Sequence, residues 1–152
     1  MAFWRPSESS EFDESKLPDL KVSRDFAHAH KVLVDRIKAC FAAYSKLYPE
    51  RQVIVTCTFR HPEEQKRIFA QGRFGNKGPI LTNCDGYTKK SLHNEFPARA
   101  VDTAILVSGK CIWDESYFYP LGNLAKAHGL EWGGFWTKFV DIPHFQLPKD
   151  VP

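Results

Sequence analysis

The strongest constraint on this chain is a change of period around one proline. From Ser23 to Tyr48 apolar side chains recur at helical spacing, at Phe26, Leu33, Ile37, Cys40, Phe41, Tyr44 and Leu47. That pattern is an amphipathic helix packing one stripe on a core. Pro49 stops it. Residues 52–58, QVIVTCT, are β-branched and alternate, which is a strand pattern. A helical stripe and a half-buried strand must cover each other, so the chain has to build a mixed layer.

The remainder follows the same logic. Pro62 opens a short helix with Glu63 and Glu64 in its first turn, where negative charge suits the helix dipole, and Gly72 is its stop. Residues 72–90 form a long Gly-rich loop, of a length that in compact domains is functional or disordered. Its glycines do not follow the G-x-x-x-x-G-K-[ST] phosphate-loop pattern, so a groove wall is the expectation. Ala100–Val107 is a second strand, and Gly109 leads to Cys111–Trp113, which pairs with it as a hairpin. A helix runs to His128 and ends at Gly129. Pro120 leaves its start open, because an interior proline costs about 3 kcal/mol. His144–Leu147 is the last strand. The expected fold is α+β, a small antiparallel sheet flanked by helices, in one domain over residues 21–152. A polar N-terminal arm, rich in Ser, Glu and Asp, covers residues 1–20.

At 152 residues, with 43% hydrophobic side chains, 12 Phe and 4 Trp, the chain can bury an aromatic-rich core without cross-links. Cys40, Cys57, Cys84 and Cys111 form no C-x-x-C pair and read as reduced thiols. No apolar run approaches the roughly 18 residues that span a bilayer, so no stable membrane association is expected. The net charge is +3 with Lys and Arg spread along the chain, which lacks the clustered basic patch of a nucleic-acid binder.

Three features carry chemistry: S-L-H at 91–93, A-V-D at 100–102 and D-I-P-H at 141–144. Asp102 shares a strand face with Ala100, Ala104 and Leu106, and a carboxylate there is costly unless paired or ligated. Zinc takes imidazole nitrogen and carboxylate oxygen and leaves one position for water in catalytic sites. His93, Asp102 and His144 supply such a set. Asp141 lies three residues before His144 on an extended stretch, within reach of the water as general base. Glu131 is the competing base, farther from His144 in sequence. Taken singly, a histidine is more often a packed or surface residue, and Asp102 has turn capping as its alternative.

The ordered string T-F-R…E-Q (58–65), Q-G-R (71–73), T-N (82–83), S-L-H (91–93), A-V-D (100–102), G-L-E-W-G-G-F-W (129–136) and D-x-x-H-F (141–145) resembles the D-alanyl-D-alanine carboxypeptidase/endopeptidase family of zinc peptidases. Within it, the branch most similar is that of phage endolysins acting as L-alanyl-D-glutamate peptidases. The resemblance runs from about residue 25 to residue 147. It implies His93, Asp102 and His144 as zinc ligands, Asp141 as base and Arg60 as the group facing a developing oxyanion or a substrate carboxylate. It also implies Ser91 as a hydrogen bonder beside the first ligand. One departure stands out: eight residues, NEFPARAV, separate His93 from Asp102, where the family commonly has six. Two extra residues can bulge from a loop without moving either ligand.

Other histidines have simpler readings. His28 and His30 face different sides of their segment, His61 suits a helix start, and His128 suits a helix C-terminus. Trp132 and Trp136 either line a substrate groove or pack over the turn that Gly133 and Gly134 allow. The resemblance implies a monomeric peptidase acting on the stem peptide of peptidoglycan, most closely at the L-Ala–D-Glu bond. Alternatives are removal of a terminal D-Ala, or a non-catalytic wall-binding module. The mild positive charge favours approach to an anionic wall. The N-terminus is polar and acidic after Arg5, unlike a secretory signal. A protein made in the cytoplasm and acting on the wall after release, as in phage lysis, is the expectation.

Overall fold

Three helices and five strands make up the regular structure of residues 14–152, the part of the chain that a computed structural model describes. The expected arm falls outside the described residues as far as residue 13, and residues 15–20 run mostly exposed. Helix α1 (Lys31–Leu47) buries Leu33, Ile37, Cys40 and Tyr44, the stripe read from the periodicity. It begins at Lys31 rather than Ser23 because the preceding backbone is committed elsewhere. Ser23 exchanges hydrogen bonds with Phe59 and Thr58, Asp25 caps a 3-10 turn over Phe26–His28, and His30 accepts from the Val32 amide as the N-cap. Phe26 thus continues the apolar spacing without continuing the helix. Leu47, in the last turn, is exposed.

Strand β1 (Arg51–Cys57) pairs antiparallel with β2 (Ala100–Val107), which turns through Ser108 and Gly109 into β3 (Lys110–Ile112). Both turn residues have positive φ, the conformation that matches a two-residue hairpin to strand twist. Helix α2 (Pro62–Phe69) starts at its proline, with His61 accepting from the Glu63 amide as cap. Helix α3 (Glu115–Ala127) keeps Pro120 inside it and is capped by Asp114. The proline withholds an N–H from the carbonyl of Ser116, an exposed residue, where water can replace it. A two-residue strand that the periodicity does not reveal, β4 (Glu131–Trp132), pairs with β5 (His144–Gln146).

All pairings between the five strands are antiparallel, giving the α+β single domain expected. Strand β2 is central: β1 lies along one edge, while β3 and β5 share the other, and β4 lies beyond β5. Its two faces do different work. Val101 and Ile105, with Phe145 of β5, join the core against α1 and α3. Asp102, of opposite parity, points away from that core. Helix α3 approaches the sheet closely at Gly122, where a Cβ would stand 2.2 Å from the Trp132 ring. The four cysteines are free, and no helix of the described residues is long and apolar enough to cross a membrane.

Candidate active site

Asp102 is the middle member of a row across three strands. Register sets it opposite Cys57 of β1 and opposite His144 of β5, and directly opposed residues of antiparallel strands share a face. A bulge between Val55 and Cys57 brings the cysteine into that row. His93 arrives from outside the sheet, on a 3-10 turn (Leu92–Asn94). Ser91 closes this turn: its Oγ accepts from the His93 amide at 3.3 Å, and Asn94 Oδ1 accepts from the Ser91 amide at 2.8 Å. Asn94, fully buried, also donates to the Arg60 carbonyl, while the Arg60 amide donates to the His93 carbonyl. The two extra loop residues have an outlet, since Phe96 and Pro97 are exposed while Ala98 returns to the core.

The functional atoms converge on one oxygen. His93 Nε2 lies 3.2 Å and His144 Nδ1 3.3 Å from Asp102 Oδ1, with the two rings perpendicular and 5.1 Å apart. Each imidazole is gripped at its other nitrogen. His93 Nδ1 is 2.8 Å from the Thr58 carbonyl, and His144 Nε2 is 2.7 Å from Gln146 Oε1. A carbonyl oxygen only accepts, so His93 Nδ1 is the donor there and Nε2 is the nitrogen offered to Asp102. Asp141 Oδ2 stands 3.8 Å from His144 Nδ1, and Arg60 Nη2 stands 3.4 Å from Asp102 Oδ2. Gln65 accepts from Arg60 Nη1 at 3.0 Å and donates to Thr82 and to the Cys84 carbonyl, which ties the guanidinium to the Gly-rich loop.

Charge is concentrated here. Burial opposes a proton on His93, but the Asp102 carboxylate, with a smaller contribution from Cys57, holds its pKa up at about 10. Burial likewise opposes charge on Asp102, yet the two histidines hold its carboxyl well below the usual range. Asp141 goes the other way, pushed up chiefly by burial.

Zinc bonds of about 2.0–2.1 Å in tetrahedral geometry set neighbouring ligands roughly 3.3 Å apart. The separations of 3.2 and 3.3 Å from Asp102 to the two imidazoles meet that requirement. The donor atoms form two triples that share Asp102: Cys57, His93 and Asp102 on one side, and Asp102, Asp141 and His144 on the other. The residue types and the two separations from Asp102 fit a divalent cation of this kind, while the two imidazoles belong to different triples rather than to one.

The other expectations divide. Trp132 is 1% exposed and packs among Tyr119, Phe135 and Phe145, so it cannot line a groove. Its role is support, since Nε1 donates to the Ile142 carbonyl at 2.7 Å and so holds the segment between Asp141 and His144. Trp136, half-buried, borders the site with its ring 5.1 Å from that of His144. Glu131 is exposed and bonded to Gln146, on the side of His144 away from Asp102, which removes it as a base. Sequence reasoning missed Cys57, whose sulfur lies 3.6 Å from His93 Nδ1, and also Thr58, Asn94 and Gln146. Only Gln146 left a usable signal, its two-residue spacing from His144 on a strand.

The chain is similar to known peptidases over most of its length. A family model described as D-alanyl-D-alanine carboxypeptidase matches residues 86–147, the stretch that contains His93, Asp102, Asp141 and His144. The peptidoglycan L-alanyl-D-glutamate endopeptidase CwlK of Bacillus subtilis (strain 168) is 33% identical over 144 residues, covering 88% of this chain and 80% of its own. Two solved structures share the fold. The Serratia marcescens L-Ala D-Glu endopeptidase ChiX has a TM-score of 0.62 at 21% identity, covering 84% of this chain and 86% of its own. The vancomycin-resistance D,D-pentapeptidase VanY in complex with Zn(II) has a TM-score of 0.52 at 15% identity, with 78% and 72% covered. With a relative this similar across both chains, and a model match over the stretch that bears the site, the chain belongs to the D-alanyl-D-alanine carboxypeptidase family of peptidases.

Proposed function

We propose that this peptidase is zinc-dependent and hydrolyses the L-Ala–D-Glu bond of peptidoglycan stem peptides. The observation that carries the reading is the meeting of His93 and His144 on Asp102 Oδ1 at 3.2 and 3.3 Å, with Asp141 beside them. When bound there, a zinc ion supplies Lewis acidity and lowers the pKa of its water to about 7. Asp141 takes the proton from the attacking water and passes it to the leaving amine nitrogen. Its raised pKa suits both steps, and its side chain is 37% exposed, so solvent reaches it. Arg60, locked by Gln65 and Asp102, presents a fixed cation to the developing oxyanion or to a substrate carboxylate. The choice of bond is supported by the similarity to CwlK and ChiX, both L-Ala–D-Glu endopeptidases. A phage-type lysis role, with release from the cytoplasm, is supported by the resemblance of the motif string to that branch.

The test is digestion of purified cell walls by zinc-loaded protein, with and without chelator, read by mass spectrometry. A free L-Ala carboxyl on the glycan side supports the reading, whereas released D-Ala would assign a carboxypeptidase instead. Walls left uncut by fully loaded protein across the pH range would leave only a binding module. His93→Ala is expected to lose the metal, and Asp141→Ala to keep it and lose turnover. Lysis of host cells only when a membrane pore is co-expressed would support the phage-type role, and lysis without one would remove it.

A further inference from the structure

His144 is controlled from the neighbouring strand. Gln146 follows it by two residues on β5, so both side chains rise on one face, and Gln146 Oε1 lies 2.7 Å from His144 Nε2. Register places Glu131 of β4 opposite Gln146, and Gln146 Nε2 donates to Glu131 Oε2 at 2.9 Å. An ionised carboxylate only accepts, whereas an amide has one donor end and one acceptor end. Glu131 therefore selects the orientation of the Gln146 amide, because the reverse orientation would set two acceptors against each other. With the NH2 group turned to Glu131, the oxygen must face His144, and it holds the proton on Nε2. That leaves Nδ1 to face Asp102 at 3.3 Å.

We infer that Glu131 and Gln146 are positioning residues that fix which nitrogen of His144 serves the metal, and thereby set the metal affinity of the site. The inference rests on the zinc reading given above. It gives the shortest strand of the sheet a task beyond packing: the Glu131–Gln146 pair couples β4 to the ligand set through side chains. Second-layer partners of metal-bound histidines typically change affinity about 10–100-fold. Gln146, in direct contact, is expected in the upper part of that range, and Glu131, one bond farther out and exposed, at about 10-fold.

The test measures Zn(II) affinity by competition with a chromophoric chelator, and the His144 Nε2 proton by NMR of the zinc-loaded protein. Four proteins are compared: wild type, Glu131→Gln, Gln146→Leu and the reversed pair Glu131→Gln/Gln146→Glu. Both single variants should lose affinity and expose the Nε2 proton to exchange. The reversed pair places a donor at 131 against a carboxylate at 146 whose other oxygen can accept from His144, and should recover both readouts. Wild-type affinity in both single variants overturns the inference. So does a loss of affinity with an unchanged, protected Nε2 proton and no recovery in the reversed pair, since that is what mere strand docking predicts. Wild-type protein that binds zinc but leaves wall peptides uncut defeats the peptidase reading alone. Wild-type protein that takes up no zinc defeats both, before any variant is compared.

Discussion

Gly133→Ala tests whether the catalytic base is placed by backbone contact. A Cβ at Gly133 would stand 2.3 Å from the Asp141 carbonyl oxygen and 3.1 Å from the Asp141 Cβ, where ordinary contact begins at 3.4 Å. The oxygen must therefore retreat by about 1.1 Å, and as backbone it cannot rotate aside. The retreat cannot spread along the chain. Trp132 holds the Ile142 carbonyl at 2.7 Å, Thr103 holds the Pro143 carbonyl at 3.0 Å, and β5 holds His144. The displacement falls on Asp141, whose amide also donates to the Gly133 carbonyl. Overpacking of this kind costs about 1–3 kcal/mol, and a misplacement of about 1 Å costs on the order of a hundredfold in rate. The expected result is kcat down about a hundredfold on a synthetic stem peptide, zinc affinity nearly unchanged, and stability to urea lower by about 1–3 kcal/mol. Gly75→Ala is the control. It has φ of +82° but nothing within 4 Å of a new Cβ, so it should cost about 1 kcal/mol and leave kcat alone. A Gly133→Ala enzyme with wild-type kcat would refute the argument.

Asp102→Asn removes the carboxylate that both histidines and Arg60 address. Stoichiometric zinc uptake should be lost in metal analysis, and retention of a full equivalent would remove Asp102 from the ligand set. Arg51 lies with its guanidinium carbon 3.9 Å over Tyr48 and 3.8 Å over Tyr117 and donates to the Tyr44 hydroxyl. Arg51→Met should therefore lower stability by about 1–3 kcal/mol in urea denaturation while turnover stays the same. Burial pushes the Cys40 thiol up to about 11. The folded protein then holds a proton that the unfolded chain releases near its ordinary value, so this contribution is intact below about pH 8.5 and fades as pH rises towards 11. Denaturation between these limits should show a falling stability whose slope is smaller in Cys40→Ala, and an unchanged slope would contradict it. In the wild-type protein at pH 8, exposed Cys111 should react with a maleimide well before buried Cys40 and Cys57.

Much of the chain declares itself locally. The buried stripe of α1, the β-branched run of β1, the Pro62 start and the hairpin at Gly109 all follow from period and punctuation, which act over a few residues. His93, Asp102, Asp141 and His144 were legible too, because each sits in a short motif and the order of motifs carries information. What one strand's own pattern does not contain is its partner. Asp102 meets Cys57 and His144 only through register, from 45 residues before it and 42 after it, and a bulge decides that Cys57 joins the row. The same holds for Glu131: its strand is two residues long, too short to leave a period, and its place behind Gln146 exists only once β4 and β5 pair. Trp132 reads as core or groove with equal ease until α3 closes over it at Gly122. Local periodicity determined which elements form and which residue types were available for chemistry. Tertiary structure decided which nitrogen, oxygen and sulfur atoms meet, because pairing between distant segments is set by packing and hydrogen bonds across the sheet.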